Sequence, residues 1–269
     1  MKEFQMFFFD VDGTLLDNRS HRISPAVIEA LHTLQQRGKK IVISSGRDVH
    51  TIMSMPQLAA IQWDGYICRN GSVVADQHQN ELYRYFFDLE TMHRLEEVSH
   101  KLGSPIQYMG HTDWLNLPPT EDFRAACAFF HRDPNAIEIR PTLPDEQATM
   151  ALAFDKAQSD YTEYRQIPGL TVLPTPFHYA DLVAKGIDKS TGITLLCQHL
   201  NLNPRDTMAF GDGINDLEML QEFRYGHIMR NAEEPLLAQV NHIAPANTAY
   251  GVLRVIENYT GIPIGKEQA

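Results

Sequence analysis

Residues 6 to 16, M-F-F-F-D-V-D-G-T-L-L, constrain this chain more than any other stretch. An apolar run of Met6, Phe7, Phe8 and Phe9 stops at two carboxylates, Asp10 and Asp12, with Val11 between them. In a strand, residues two apart project from one face, so both aspartates are expected to point outward at the C-terminal end of a strand. Open α/β sheets keep their ligands at that end. Gly13 permits a sharp turn, and the hydroxyl of Thr14 is expected to fix the Asp12 carboxylate. A calcium loop begins in a similar way but needs Gly at its sixth position and Glu at its twelfth. Counted from Asp10, those positions hold Leu15 and His21, which excludes it.

A net charge of -11 argues against nucleic acid or an anionic membrane as a partner, and any anionic ligand would need a local source of positive charge. Cys68, Cys127 and Cys197 are widely spaced and odd in number, so neither a disulfide framework nor a thiolate zinc site is expected. Lys2, Glu3 and Gln5 interrupt the apolar start, and no long apolar run follows, so a cytoplasmic protein is expected, as a monomer or weak homodimer.

Ser24-Pro25 followed by Ile28, Leu31 and Leu34 predicts a helix closing near Gly38, and Lys40 to Ser44 a strand. Strand, helix and strand within about 45 residues read as a βαβ unit of a parallel sheet. A further helix from about Asp48 to Met55 and a strand at Gly65 to Cys68 lead to Arg69-Asn70-Gly71. From residue 82 the pattern changes to short strands and helices, among them a helix over Leu89 to Leu102, a helix near Glu121 to His131 and breakers at Pro141 and Pro144. The α/β alternation returns near 186, with a helix from about Lys189 and a strand at Thr207 to Phe210 that exits into G-D-G-I-N-D. The expectation is an α/β protein with a Rossmann-like parallel-sheet core over 1-81 and 186-269, and an inserted α+β cap over 82-185.

Four polar clusters then fall at predicted strand or loop ends: Asp10-Val11-Asp12, Ser45-Gly46-Arg47, Lys189, and Asp212-Gly213-Ile214-Asn215-Asp216. Brought to one sheet edge, the carboxylates would repel one another by roughly 4 kcal/mol per pair at about 4 Å and an effective dielectric near 20. A hard divalent cation relieves that repulsion, and carboxylates with a backbone carbonyl suit Mg²⁺. A cation and a lysine beside a nucleophilic carboxylate make a site for a phosphoryl group, with a second carboxylate as proton donor and acceptor.

These motifs, D-V-D-G-T (10 to 14), S-G-R (45 to 47), the lysine of G-I-D-K (186 to 189) and G-D-G-I-N-D (211 to 216), resemble those of haloacid dehalogenase-like phosphatases of the Cof type, over the whole chain. The resemblance implies that Asp10 is the nucleophile and a Mg²⁺ ligand, that Asp12 is the general acid/base and lends its carbonyl to the metal, and that Asp212 is a further ligand. It implies that Ser45, Gly46, Lys189 and Asn215 hold phosphate, and that Thr14, Asn70 and Asp216 support them. Asn231-Ala232 matches a further signature of the family, although Arg230 stands where glycine is usual. A cap inserted after the second motif matches the large α/β cap class. The implied activity is phosphate-ester hydrolysis through an aspartyl-phosphate on small metabolites: sugar phosphates, or nucleotide, FMN or pyridoxal phosphate. A phosphomutase and a non-catalytic metabolite sensor are the alternatives. Arg47, His178 and Tyr179 are candidate substrate contacts, with Tyr108 and Trp114 as further cap residues that could meet a leaving group.

Overall fold

The computed structural model describes residues 4–261 apart from 130–131, 144–145, 156–158 and 176. Pro144, Pro176 and the last residues of the helix expected near Glu121 to His131 therefore lie outside the described residues. The chain divides into two compact units, one holding the residues up to Tyr83 and those from Asp188, the other Arg84–Ile187.

The first unit opens with β1 (Met6–Phe9), α1 (Pro25–Gln36), β2 (Lys40–Ser44), α2 (Val49–Met53), α3 (Pro56–Ala59), β3 (Gly65–Cys68), β4 (Val73–Asp76) and β5 (Glu81–Arg84). The second unit follows as α4 (Leu89–Leu102), β6 (Ile106–Met109), β7 (Asp113–Leu115), α5 (Glu121–Phe129), β8 (Glu138–Ile139), β9 (Met150–Phe154), α6 (Thr162–Arg165), β10 (Leu170–Pro174) and β11 (Tyr179–Ala184). The chain then completes the first unit with α7 (Lys189–His199), β12 (Thr207–Gly211), α8 (Leu217–Glu222), β13 (Gly226–Met229), α9 (Glu234–Leu237), β14 (His242–Ala244) and α10 (Gly251–Thr260).

The first unit's sheet has the order β14-β13-β12-β1-β2-β3-β4-β5. Its centre is parallel, with Phe9 opposite Phe210 on one side and Ile43 on the other. β4 instead returns antiparallel to β3, pairing Cys68 with Val73, so the sheet is mixed rather than wholly parallel. The sequence analysis did not anticipate β4, because a tight reversal through Arg69–Gly71 leaves no room for a crossover helix.

The unbroken apolar run of β1 follows from burial on both faces. Phe7 and Phe9 pack with Leu31, Leu34, Val252 and Ile256 from α1 and α10. Met6 and Phe8 pack with Ile193 and Leu196 of α7 and Met219 and Leu220 of α8. This sandwich fixes the positions of the parallel strands, and with them the points from which the loops at their C-terminal ends emerge. Among the described residues, no helix is long and apolar enough to cross a membrane.

The second unit carries its own sheet, ordered β10-β11-β9-β6-β7-β8. Alternate residues of its strands, such as Ile106 and Tyr108, Ala151 and Ala153, and Ala180 and Leu182, join Met92 and Leu95 of α4 in one core.

Candidate active site

Four neighbouring strands end on the same side of the first unit's sheet. β12 delivers Asp212, β1 Asp10, β2 Ser45 and β3 the turn at Asn70. The β1 strand stops at Phe9, so both aspartates lie in the loop beyond it, although the Asp10 amide still donates to the Phe210 carbonyl at 2.9 Å. Lys189 enters from α7, whose first turn is fixed by Asp188: its carboxylate accepts from the Thr191 amide at 2.9 Å.

Lys189 is fully buried, and its ammonium donates to Asp10 Oδ1 at 2.7 Å and to Asp216 Oδ1 at 2.5 Å. Asp10, Asp212 and Asp216 each place an oxygen within 4.8 Å of the others. Three carboxylates against one ammonium leave two negative charges unbalanced in a buried place. The titration directions follow from that imbalance. Burial pushes the Asp10 carboxyl up to about 7, with Lys189 opposing and Asp216 and Asp12 adding to the rise. Asp212 is held well above the usual carboxylate range by burial and by Asp10 and Asp216. Burial alone would lower Lys189, but the adjacent Asp10 and Asp216 outweigh it and hold its pKa above the ordinary lysine value.

The carboxylates are not equivalent. Asp216 is consumed within the protein: Oδ1 takes Lys189, and Oδ2 accepts from the amides of Asp212 and Gly213 at 2.9 and 2.8 Å. It organises the loop, which leaves Asp10 and Asp212 as the carboxylates with coordinating capacity. Hard oxygen donors carrying excess negative charge fit a divalent cation such as Mg²⁺.

Thr14 departs from expectation. Its hydroxyl donates to Asp212 Oδ1 at 3.0 Å rather than fixing Asp12, because the turn carries it across to the loop after β12. Gly13 makes that turn possible at φ +89°, and a Cβ there would overlap the Asp212 carboxylate. Asp12 is instead gripped by Arg47, with Nε to Oδ2 at 2.7 Å and Nη2 to Oδ1 at 2.8 Å. The guanidinium considered as a substrate contact is thus bonded to a site carboxylate, and the Asp12 carboxylate stands outside the acidic cluster.

Ser45 is buried beside this pair, and its hydroxyl accepts from the Arg47 amide at 3.2 Å across Gly46. Asn215 donates to Asn70 Oδ1 at 2.9 Å. Asn70 sits in a left-handed turn with Arg69 at φ 53° and 50°, and at Gly71 a Cβ would overlap the Asp188 carbonyl. That close approach ties the loop after β3 to the start of α7.

Asn231 has a role that the sequence analysis did not assign. Its amide donates to the Gly13 carbonyl at 2.9 Å and to Asp212 Oδ2 at 3.2 Å, and its own Oδ1 accepts from the Asn247 amide at 3.0 Å. Arg230 in place of glycine leaves those contacts intact. The family signature at Asn231-Ala232 marked the position in the sequence without saying what it touches.

The remaining candidates belong to the second unit. Tyr108 and Trp114 are fully buried and stack on each other at 5.2 Å, so they are core residues and not contacts for a leaving group. His178 Nδ1 lies 2.8 Å from Asp122 Oδ1, and Tyr179 begins β11, packed beside Phe123 and Phe154.

Known proteins resemble this chain in sequence and fold. The sequence model for haloacid dehalogenase-like hydrolases matches residues 7–256. An HMP-PP phosphatase of Yersinia pseudotuberculosis is 28% identical over 258 residues, covering 85% of each chain. The structure of the subclass IIB sugar phosphatase BT4131 superposes with a TM-score of 0.83 at 26% identity, over 95% of this chain and 98% of that one. BT1666 from Bacteroides thetaiotaomicron has the same fold, with a TM-score of 0.86 over 97% of this chain and 96% of that one, at 20% identity. With its family signature running from β1 to α10 and its Asp10, Lys189 and Asp212 gathered at one sheet edge, the chain belongs to the haloacid dehalogenase-like hydrolases.

Proposed function

We propose that this protein is a Mg²⁺-dependent phosphatase that hydrolyses small phosphorylated metabolites through an aspartyl-phosphate on Asp10. The observation that carries this reading is the buried cluster of Asp10, Asp212, Asp216 and Lys189, in which one ammonium is set against three carboxylates. Asp10, Asp212 and the main-chain carbonyl of Asp12 would hold the ion. When bound, it offsets the charge of the phosphate oxygens and of the carboxylates around them.

Lys189 fixes Asp10 through Oδ1, and among the described residues Oδ2 of Asp10 accepts no hydrogen bond. That oxygen is the one available to attack phosphorus. Ser45 and Lys189 supply a hydroxyl and a cation for the phosphoryl oxygens. As the new Asp10 oxygen–phosphorus bond forms, the bond to the leaving oxygen breaks, and that oxygen takes a proton from Asp12. Water then attacks phosphorus and gives its proton to Asp12, the bond to Asp10 breaks, and inorganic phosphate leaves with the carboxylate restored.

Similarity to an HMP-PP phosphatase and to a sugar phosphatase supports a compact phosphate ester as substrate. The composition and the three buried free cysteines support a cytoplasmic setting. Phosphate release from a panel of sugar phosphates, nucleotides, FMN, pyridoxal phosphate and pyrimidine phosphates, with and without Mg²⁺, tests the proposal. Full activity in excess EDTA would rule out the metal, and an inert panel would rule out the phosphatase.

A further inference from the structure

Among the described residues, Asp10, Asp212 and Asp216 form the acidic cluster, and Asp12 belongs to no such group although it is two residues from Asp10. Its carboxylate is held through both oxygens by Arg47, at 2.7 and 2.8 Å. The backbones at both ends of this pair are fixed. The Arg47 amide donates to Ser45 Oγ at 3.2 Å, and the Arg47 carbonyl accepts from the Arg69 amide at 3.1 Å. Asp12 bridges to Leu16, and the Gly13 amide donates to the Leu16 carbonyl at 3.0 Å. With both backbones tied by these hydrogen bonds, the bidentate contact sets where the Asp12 carboxylate points. The Asp12 side chain keeps 39% of its accessible surface against 17% for Arg47, so Asp12 is the more exposed member of the pair.

We infer that Arg47 is a positioning residue that withholds the Asp12 carboxylate from the acidic cluster and keeps it aimed for proton transfer to the leaving group. The inference rests on the phosphatase reading for its catalytic half. The physical reason is competition. A divalent cation in the cluster attracts any free carboxylate nearby, and a carboxylate spent as a ligand cannot carry a proton to the leaving oxygen. A planar guanidinium that engages both carboxylate oxygens resists that pull, whereas a lysine ammonium, a point charge, would grip one oxygen and let the carboxylate rotate.

The test uses Arg47→Gln and Arg47→Lys with two esters. Glycerol 1-phosphate expels an alkoxide that needs a proton, and p-nitrophenyl phosphate expels a phenolate that does not. Arg47→Gln is expected to lower kcat/KM for the glycerol ester by about 100-fold or more and for the nitrophenyl ester by less than about tenfold, with no rescue by Arg47→Lys. Equal losses on both esters would make Arg47 a phosphate contact and overturn the inference, as would the absence of any loss. A second readout needs no turnover. In a calorimetric titration, Arg47→Gln is expected to tighten Mn²⁺ binding roughly tenfold by freeing Asp12 to join the cluster, and adding Asp12→Asn is expected to remove the gain. A gain that persists in the double variant would reflect the lost positive charge alone and would refute the restraint. Should the native protein hydrolyse neither these esters nor any member of the panel above, the phosphatase reading falls, and the Mn²⁺ titration still decides whether Arg47 restrains Asp12.

Discussion

Binding of Mg²⁺ at the cluster should stabilise the folded protein in a strongly pH-dependent way. Without the cation, the Asp10 carboxyl is pushed up to about 7, so below that pH the ion must displace a proton to bind. At pH 8.5 and free Mg²⁺ about 100 times its Kd, the expected stabilisation is about 2.7 kcal/mol. For a chain of this size that is a rise in Tm of about 5–11 °C. At pH 5.5, about 1.5 units below the Asp10 value, the apparent Kd is weaker by about 30-fold. The same Mg²⁺ concentration then gives only about 0.8 kcal/mol, or two to three degrees. The raised Asp212 carboxyl acts in the same direction and steepens the loss. Differential scanning fluorimetry with Mg²⁺ and with EDTA, across pH 5.5 to 8.5, reads the effect directly. Asp212→Asn supplies the control. It should abolish the Mg²⁺ shift and, at pH 8.5 in EDTA, raise Tm above that of the native protein, because it removes one of the mutually repelling buried charges. A Mg²⁺ shift independent of pH, or one that survives Asp212→Asn, would refute the charge argument.

Asp10→Asn should cost several powers of ten in phosphate release, each about 1.4 kcal/mol of barrier, while urea denaturation shows an intact fold; more than a tenth of native activity would refute the nucleophile assignment. Thr14→Val leaves Asp212 Oδ1 without its 3.0 Å donor and should weaken Mg²⁺ by about 10–100-fold, measured by calorimetric titration. His227, buried beside His242, Phe210 and Tyr259, has its pKa lowered by burial and by His242 to about 4. A base depressed in the folded state contributes stability that is complete above the unfolded value near 6.5 and is lost as pH falls towards 4. The loss is about 3 kcal/mol, and in urea denaturation series His227→Gln should flatten the pH slope over that window.

The sequence by itself determined the chemistry available and the sheet that displays it. The apolar runs of β1, β2 and β12, each ending in polar residues, dictate strands buried on both faces with their loops at one edge, since local pattern and burial agree there. The order of the motifs also established which residues could meet. Only the tertiary structure decided how they pair. Thr14 serves Asp212 across 198 residues rather than its neighbour Asp12, and Asp216 is occupied by Lys189 and two amides. Asn231 closes on Gly13 across 218 residues, and Arg47 takes Asp12. In the same way Tyr108 and Trp114, cap residues that could meet a leaving group as far as the sequence tells, are turned inward onto each other. A side chain's partner is set by which loops the sheet order brings alongside it and by the burial cost of leaving a charge unpaired. Neither quantity is carried by the residue's own neighbourhood in the sequence.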